Sequence, residues 1–511
     1  MKFALKPLFC FVLLVSCSNL SAQSHVLNNV LVAIQKGTGA IIKDNTVTGY
    51  YAFYELDKKD KKTRNYQLNI LDQNLTPLSS KKFSSQENLT AEEASYNGDL
   101  IMIKFIDTKE QKYIFKAYDQ NAEQVSNISL DAKKVIPTSV ISGGSGDGES
   151  NTLTPVEGVG FIHAVVKKRG GAFSRTFNEI TMIPNDKEAK GWTWTTSENS
   201  KDFEIGDVLG VNSKFLLLVE SRGNMKTRDY EDFLLGIDLA TGKKIFSTPV
   251  EDRKYAITMM SAISNPGGDF QIFGHYFEKD AKKIKASSLG LFGFSVDTLG
   301  KITTRKYESW ARDVSKFLKI KANGKIEDIG YLYFHQFVKT ADNKIFAIGE
   351  QFKTNTGASV ALSVLTLSTN QLIKIEDMYV FEFDSTFNLK NVSVFDKSKT
   401  SVDLPMITGG AKITGMFLKT SGYFGYSFTQ TSKDKSKFSI GFLNNDDTKG
   451  SKGWYFGSIN YSDGKFTTDK IKLNTKDAKQ YVYPAKPGYV MISEYFEKEK
   501  KIEFRLEKLN F

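Results

Sequence analysis

Residues 51–56 (YAFYEL) and 66–72 (YQLNILD) form the unit that decides the fold of this chain. The first run is apolar until it reaches a polar residue at its end, a charged stretch rich in lysine separates the two runs, and the second run ends at Asp72. Short runs of Phe, Tyr, Ile, Val and Leu bounded by Gly, Asn, Asp and Lys are typical of β-strands joined by tight turns. The unit therefore predicts a β-hairpin that turns into a third strand.

The same unit recurs along the chain. Two further copies align almost without gaps, at residues 100–105 with 113–119 and at residues 490–496 with 502–506. Further first strands are predicted at residues 161–166, 215–220, 272–277, 345–352 and 423–428. This gives eight units, and insertions lengthen them beyond the ~40–45 residues of a minimal four-stranded blade.

Eight four-stranded units without crossover helices predict an all-β fold, a β-propeller of eight blades, with seven blades as the alternative. Residues 480–511 supply only three strands, and residues 26–34 form an additional strand ahead of the first unit. Pairing of these two ends would complete the last blade and remove two exposed sheet edges. We therefore expect one domain over residues 26–511, closed by its N-terminal and C-terminal strands.

Two segments interrupt the repeat. Residues 308–320 place Trp310, Val314 and Phe317 on one helical face, which predicts one short inserted helix. Residues 141–150 (ISGGSGDGES) are predicted to form a loop between the second and third units, rather than a calcium site, because Ca²⁺ needs 6 to 8 oxygen ligands and one linear stretch with two acids is weak evidence for such a site.

The first 22 residues have the layout of a secretory signal peptide, with Lys2 and Lys6 ahead of a short apolar run. Two processing routes remain open. Cleavage after Ala22 would release a chain without cysteine, whereas lipidation at Cys17, within a lipobox-like sequence, would tether the protein to a membrane. Either route predicts an exported protein of the periplasm, cell surface or extracellular space, attached to a membrane only through a lipid anchor.

The formal net charge of +11 does not predict nucleic-acid binding. Removal of Lys2 and Lys6 with the leader lowers the charge to +9, and only nine of the 69 basic residues are arginine. Sequence-specific nucleic-acid surfaces favour arginine because its planar guanidinium pairs bidentately with phosphate and guanine. The lysines lie among acidic residues, as in the stretch 497–501 (EKEKK), which indicates a solvated surface.

The repeat pattern resembles that of exported β-propeller-like proteins of Bacteroidota, secreted and lipoprotein families whose function is not established. The resemblance covers approximately residues 26–511 and rests on the repeat alone. The chain lacks the WD dipeptide series, the double-glycine kelch series and the Asp box of sialidase-like propellers. The resemblance therefore implies a fold and an exported location without an activity.

A set of polar residues marks the end of the first strand in five of the eight units: Glu55, Glu220, His275, Glu350 and Glu494. If the units superpose, these side chains form a broken ring at one end of the propeller and could support acid–base or metal chemistry. Alternatively, each strand simply leaves the core at this point. His335 lies in a strand predicted to be the innermost of its unit and is a candidate for the central channel.

The sequence contains no phosphate-binding loop, dinucleotide fingerprint or nucleophile-elbow motif, and no cofactor or metal is predicted. We therefore expect a monomeric, non-enzymatic binding or scaffold protein of the cell envelope, whose partner is an envelope protein or a glycan. The alternative is a polysaccharide-acting hydrolase or lyase that uses the ring of Glu and His residues.

Overall fold

The computed structural model describes part of the chain in detail. The described residues are 23–57, 60, 62–136, 153–168, 176–196, 203–224, 229–250, 254–279, 281, 286–326, 330–354, 370–405, 410–446, 453–473 and 477–509. The predicted signal peptide, the processing sites Cys17 and Ala22, and the predicted loop at 141–150 lie outside these residues.

The described strands form eight antiparallel sheets. In chain order the strands are β1 (Ser24–Asn28), β2 (Val30–Lys43), β3 (Thr46–Leu56), β4 (Thr63–Asp72), β5 (Pro77–Gln86), β6 (Leu89–Tyr96), β7 (Ile101–Asp107), β8 (Lys112–Tyr118), β9 (Gln124–Asp131), β10 (Leu153–Val156), β11 (Gly160–Lys168), β12 (Thr176–Pro184), β13 (Trp192–Thr195), β14 (Phe203–Val211), β15 (Phe215–Asn224), β16 (Asp229–Asp238), β17 (Lys244–Pro249), β18 (Tyr255–Ser264), β19 (Phe270–Glu278), β20 (Gly290–Val296), β21 (Ile302–Ser309), β22 (Tyr331–Lys339), β23 (Ile345–Thr354), β24 (Asn370–Phe383), β25 (Leu389–Phe395), β26 (Thr400–Pro405), β27 (Tyr426–Thr431), β28 (Phe438–Asp446), β29 (Gly453–Ser462), β30 (Lys465–Lys472), β31 (Lys479–Pro484), β32 (Tyr489–Phe496) and β33 (Lys501–Lys508).

Each sheet is one blade of an eight-bladed β-propeller, which confirms the predicted fold class. Blades 1 to 7 begin with β2, β6, β10, β14, β18, β22 and β27, and blade 8 consists of β31, β32, β33 and β1. First strands of neighbouring blades contact each other, as β14 does with β18 and β18 with β22, so the first strand of each blade is the innermost. We call the end of the ring where these innermost strands begin the upper face.

The outermost strand of blade 8 comes from the other end of the chain. β1 pairs antiparallel with β33, from Ser24 opposite Arg505 to Asn28 opposite Lys501. The segment expected to form a single additional strand at 26–34 is instead divided between β1 and β2 at Asn29, whose φ of 61° turns the chain from blade 8 into blade 1. The ring is closed by hydrogen bonds between the two ends of the chain.

Burial explains why the strands do not share one polar–apolar pattern. Residues 49–55 of β3 are buried without alternation because neighbouring strands and blades cover both faces of this strand. The outermost strand β30 alternates between exposed and half-buried residues, as a strand at the margin of a blade should. The core consequently lies between blades: one cluster joins Phe53 of blade 1 to Phe105 of blade 2.

The recurring aspartates predicted at the ends of strands build tight turns on the lower face. Oδ1 of Asp297 accepts hydrogen bonds from the backbone N–H groups of Leu299 and Lys301, and Gly300 adopts a φ of 82° that favours glycine. The same aspartate-centred arrangement occurs at Asp72, Asp119, Asp238 and Asp384.

The one described α-helix does not lie where the sequence pattern placed it. Residues 308–320 contain the end of β21 and a single 3₁₀ turn, Val314–Lys316, rather than a helix. A compact turn, instead of a helix, buries the apolar residues Trp310 and Val314 in the core between blades 5 and 6. The helix α1 (Gly410–Thr420) instead follows an extra strand, β26, which pairs with the first part of β24 in blade 6.

Ring closure leads to a stability prediction that compares two residues of β1. Leu27 is buried against Tyr54 and Phe504, whereas Val26 is 44% exposed. We expect Leu27→Ala to lower the free energy of unfolding by about 2–5 kcal/mol, because it leaves a cavity in the core that joins the last blade to the first. The matched variant Val26→Ala should change it by less than about 0.5 kcal/mol. Urea denaturation of both variants measures the difference, and equal effects would contradict a structural role for closure.

Candidate functional site

The five candidate residues at strand ends lie in five different blades. In these five units the first strand of the sequence repeat is the second strand of the blade. The five residues lie on these second strands, close to the upper face: Glu55 on β3, Glu220 on β15, His275 on β19, Glu350 on β23 and Glu494 on β32. Each of the four glutamates is buried, with no more than 4% of its surface exposed. The structure therefore places them around the ring, as expected from the repeat, but encloses them within the blades.

Three of these glutamates are neutralised by an arginine in the same blade. Both carboxylate oxygens of Glu55 accept hydrogen bonds from the guanidinium of Arg64, at 3.0 and 2.8 Å. Glu220 pairs with Arg222 and Glu494 with Arg505. A carboxylate held in this way inside a blade keeps its charge at low cost, because a charge-assisted hydrogen bond replaces the lost contacts with water.

Two other blades carry the same arrangement with the charges reversed. Lys104 near the end of β7 is buried and contacts Glu92 at 2.9 Å and Glu93 at 3.4 Å. Lys167 at the end of β11 contacts Glu179 at 2.7 Å. The sequence analysis missed these pairs because it searched for acids and histidines, although Lys104 occupies the repeat position of Glu55. Lys167 also lies 4.0 Å from Asp131, at the end of β9 in blade 2. The broken ring is thus largely a set of ion pairs, most of them internal to one blade.

Glu350 differs from the other glutamates because it connects two blades. Its side chain is inaccessible to solvent and contacts the ammonium of Lys397, itself almost fully buried. Its two oxygens also accept hydrogen bonds from the backbone N–H groups of Gly425 and Tyr426, at 2.9 and 3.0 Å, where the chain enters blade 7. Burial alone would raise the pKa of Glu350, but Lys397 and His335 outweigh it and lower the pKa to about 2.

His335 and Glu350 are the two sequence-predicted candidates that the structure brings together. Nε2 of His335 lies 3.3 Å from Oε2 of Glu350, within ion-pair distance but without hydrogen-bond geometry. His335 is on the innermost strand β22, at a bulge where two residues of β22 replace one in the pairing with β23. Its side chain is fully buried and does not line an open channel. Burial lowers its pKa to about 4, although Glu350 opposes the shift.

His275 is buried beside Trp310 and Phe334, with ring centroids 6.0 Å from each. Its Nδ1 has no hydrogen-bond partner among the described residues. Burial lowers its pKa to about 4, so the imidazole is neutral at neutral pH. In the pairing of β18 with β19, His275 lies opposite Thr258, whose hydroxyl oxygen accepts a hydrogen bond from Lys412 of α1.

Helix α1, which the sequence analysis missed, lies on the upper face above these histidines. It packs on β22 in blade 6, reaches β18 in blade 5 through Lys412, and places Lys419 over the ring of Tyr426 in β27 of blade 7. Since these three strands are innermost, α1 covers the part of the channel mouth that blades 5 to 7 form. The segment 410–420 lies between strands of the repeat, and its glycines and threonines weaken the helical signal of its apolar residues.

The aromatic clusters of the sequence are mostly internal. Trp192 and Trp194 pack in the core between blades 3 and 4, and the indole N–H of Trp192 donates to the carbonyl oxygen of Leu239. Tyr455 and Phe456 are buried, whereas Trp454 is 42% exposed. These clusters therefore fill space between blades more than they offer rings to a sugar.

The described part of the chain contains no group of three or more His, Cys, Asp and Glu side chains placed to hold a metal ion. Among the helices of the same residues, none has the length and apolar character needed to cross a membrane.

Comparisons with known proteins give distant likenesses to solved structures. Prolyl oligopeptidase B from Galerina marginata, bound to a 35mer hydrolysis and macrocyclization substrate, is 9% identical, with 91% of this chain and 56% of that chain covered and a TM-score of 0.40. TolB from Acinetobacter baumannii is 12% identical, with 82% and 80% covered and a TM-score of 0.25. The chain spans little more than half the length of the prolyl oligopeptidase structures that it matches. None of these values is high enough to carry a function to this chain.

No curated protein matches the chain. A family defined by sequence does match, over residues 4–510, which include every blade described above. The chain therefore belongs to DUF6770, described as a family of unknown function.

Proposed function

We propose that this protein is a non-enzymatic binding or scaffold protein of the bacterial cell envelope. The observation that carries the proposal is the state of the candidate chemical groups: Glu55, Glu220, Glu350 and Glu494 are each buried and paired with a cation. A carboxylate that acts on a polysaccharide must reach its substrate, and these four are enclosed in blades. The polar ring therefore supports the rigidity of a platform better than it supports hydrolysis.

The upper face offers a surface suited to a protein partner. Met416 of α1 and Tyr423, which follows the helix, are 47% and 37% exposed, and Met416 is one helical turn from both Lys412 and Lys419. Exposed apolar side chains bordered by charge are typical of protein interaction sites. Because Trp192, Trp194, Tyr455 and Phe456 are engaged in packing, an envelope protein fits the described surface better than a glycan does.

The export signal predicted for residues 1–22 supports the location. Cleavage after Ala22 would leave Gln23 directly ahead of β1, and the carbonyl oxygen of Gln23 accepts a hydrogen bond from the backbone of Leu506. Lipidation at Cys17 would instead leave a short tether between a lipid anchor and the closed ring. Both routes present a folded propeller outside the cytoplasm.

The binding proposal is tested by affinity capture from solubilised envelope of the producing bacterium, followed by titration of the captured protein and a parallel glycan array. Met416→Glu should weaken binding by at least about tenfold, because it places an unpaired charge in the interface. The matched variant Leu299→Glu alters an exposed apolar residue in a turn of the lower face and should bind normally. Absence of any retained partner, or an equal loss in both variants, would contradict the proposal.

A second prediction separates a structural role of Glu350 from a catalytic one. Glu350→Gln leaves the buried Lys397 without a counter-charge, so we expect the free energy of unfolding to fall by about 3–5 kcal/mol. Glu123→Gln is the matched control, because Glu123 and its partner Lys81 are both largely exposed, and it should cost less than about 1 kcal/mol. Urea denaturation followed by tryptophan fluorescence measures both changes.

The outcome that would overturn this assignment is chemical. The purified protein could cleave a polysaccharide and lose this activity in a folded Glu494→Gln variant. That result would show that a strand-end glutamate reaches substrate, and it would restore the hydrolase alternative.

A further inference from the structure

Helix α1 has little intrinsic tendency to form. It is 11 residues long, contains Gly410 and Gly415, and includes the β-branched residues Ile413, Thr414 and Thr420. Isolated helices shorter than about 12–15 residues are marginal in water even when rich in alanine, and glycine costs roughly 1 kcal/mol more than alanine in a helix interior. The helical state of α1 therefore depends on its docking to the propeller.

The docking surface under the second half of α1 includes three rings, Tyr333, Phe424 and Tyr426, which we call the aromatic seat. Gly415 fits closely on Tyr333, since a Cβ at this position would lie 2.8 Å from its Cδ2 atom. Leu418 is fully buried in the same core cluster as Phe424. The ammonium of Lys419 lies 5.4 Å from the centre of the Tyr426 ring.

His335 lies directly against all three rings of the aromatic seat. Its imidazole stacks on Tyr426 with ring centroids 4.5 Å apart and an interplanar angle of 6°, and it meets Phe424 and Tyr333 edge-on at 4.9 and 5.2 Å. A change in the charge or hydration of this imidazole must disturb the surface on which α1 rests.

The charged and titratable groups near His335 come from β22, β23, β27, α1 and the segment after β25. The carboxylate of Glu350 on β23 lies near Nε2 of His335, and Lys397, which follows β25, is paired with the same carboxylate. Lys419 belongs to α1. The phenol rings of Tyr333 and Tyr426 belong to β22 and β27. Glu350 would stabilise a protonated imidazole, but Lys397 and the backbone N–H groups of Gly425 and Tyr426 already engage its oxygens. A proton on His335 in the docked state would therefore be buried beside two ammonium groups.

We propose that α1 is a pH-dependent part of the upper face, which stays docked and helical while His335 is neutral beneath the aromatic seat and is released when His335 takes up a proton. Release lets water reach the imidazole, and the displaced segment loses its helical structure because nothing else supports it. Where the proposed function holds, release also removes Met416 from the binding surface, so that the partner dissociates on acidification.

The sign of the effect follows from the two states of His335. In the docked state burial lowers its pKa to about 4, whereas a hydrated histidine titrates near 6.5. The released state therefore binds the proton more readily, and docking weakens as the pH falls from about 6.5 towards 4. Between pH 7 and pH 5 this linkage favours release by about twentyfold.

The experiment is amide hydrogen exchange of the full protein alone at pH 7 and pH 5, with each rate corrected for the intrinsic exchange rate at that pH. We expect protection of residues 411–420 to fall by about twentyfold at pH 5, while β22 and β23 keep theirs. His335→Gln and His335→Phe should each abolish this difference, because neither side chain titrates. Leu418→Ala should lower protection of α1 at both pH values, because it removes contacts to the seat and leaves His335 in place.

The matched control is His163→Gln. His163 is also buried, between the rings of Tyr113 and Phe115, but it lies in blade 3 away from α1, so this variant should keep the pH difference. The proposal would be overturned if α1 were equally protected at both pH values. It would also be overturned if the pH difference persisted in the His335 variants or disappeared in His275→Gln. Because exchange is measured on the protein alone, its result does not depend on whether the capture experiment finds a partner.

Discussion

The pairing of β1 with β33 is the constraint on which the rest of the structure depends. Each blade buries its apolar faces against its neighbours, so a ring with one incomplete blade would expose core on both sides of the gap. Only five residues at the start of the described chain complete blade 8, and Leu27 among them packs into the core shared with blade 1. The innermost strands of the first and last blades, β2 and β31, also contact each other where the ring closes.

Buried ion pairs near the upper face act within this closed ring. In several cases the two partners belong to one blade, as with Glu55 and Arg64, so they hold a hairpin without linking blades. Blade 6 departs from this rule. Glu350 anchors the chain as it enters blade 7, and the same blade carries the additional strand β26 and the helix α1.

The correct and the incorrect predictions from the sequence each have a physical cause. Eight repeats and the aspartate turns were predictable because they depend on spacing of a few residues, as in the turn of Asp297 with Leu299 and Lys301. The helix expected at 308–320 was wrong because a 3₁₀ turn buries Trp310 and Val314 as well as a helix would. Helix α1 was missed because its glycines and threonines weaken the local signal, and its stability comes from Tyr333 and Phe424 in other strands.

The repeat pattern alone predicted a β-propeller of eight units, with seven as the alternative, and the repeat position of the strand-end polar residues, because a periodic pattern of apolar runs and turns reports local structure directly. The leader with the processing sites Cys17 and Ala22 stays a prediction from the sequence. Only the tertiary structure decided what those polar residues do. Glu350 meets Lys397 from 47 residues away and the backbone of Gly425 from 75 residues away, and no local pattern encodes such contacts. Burial, rather than residue type, turned a candidate catalytic ring into a set of enclosed ion pairs and placed His335 beneath the helix that it is proposed to control.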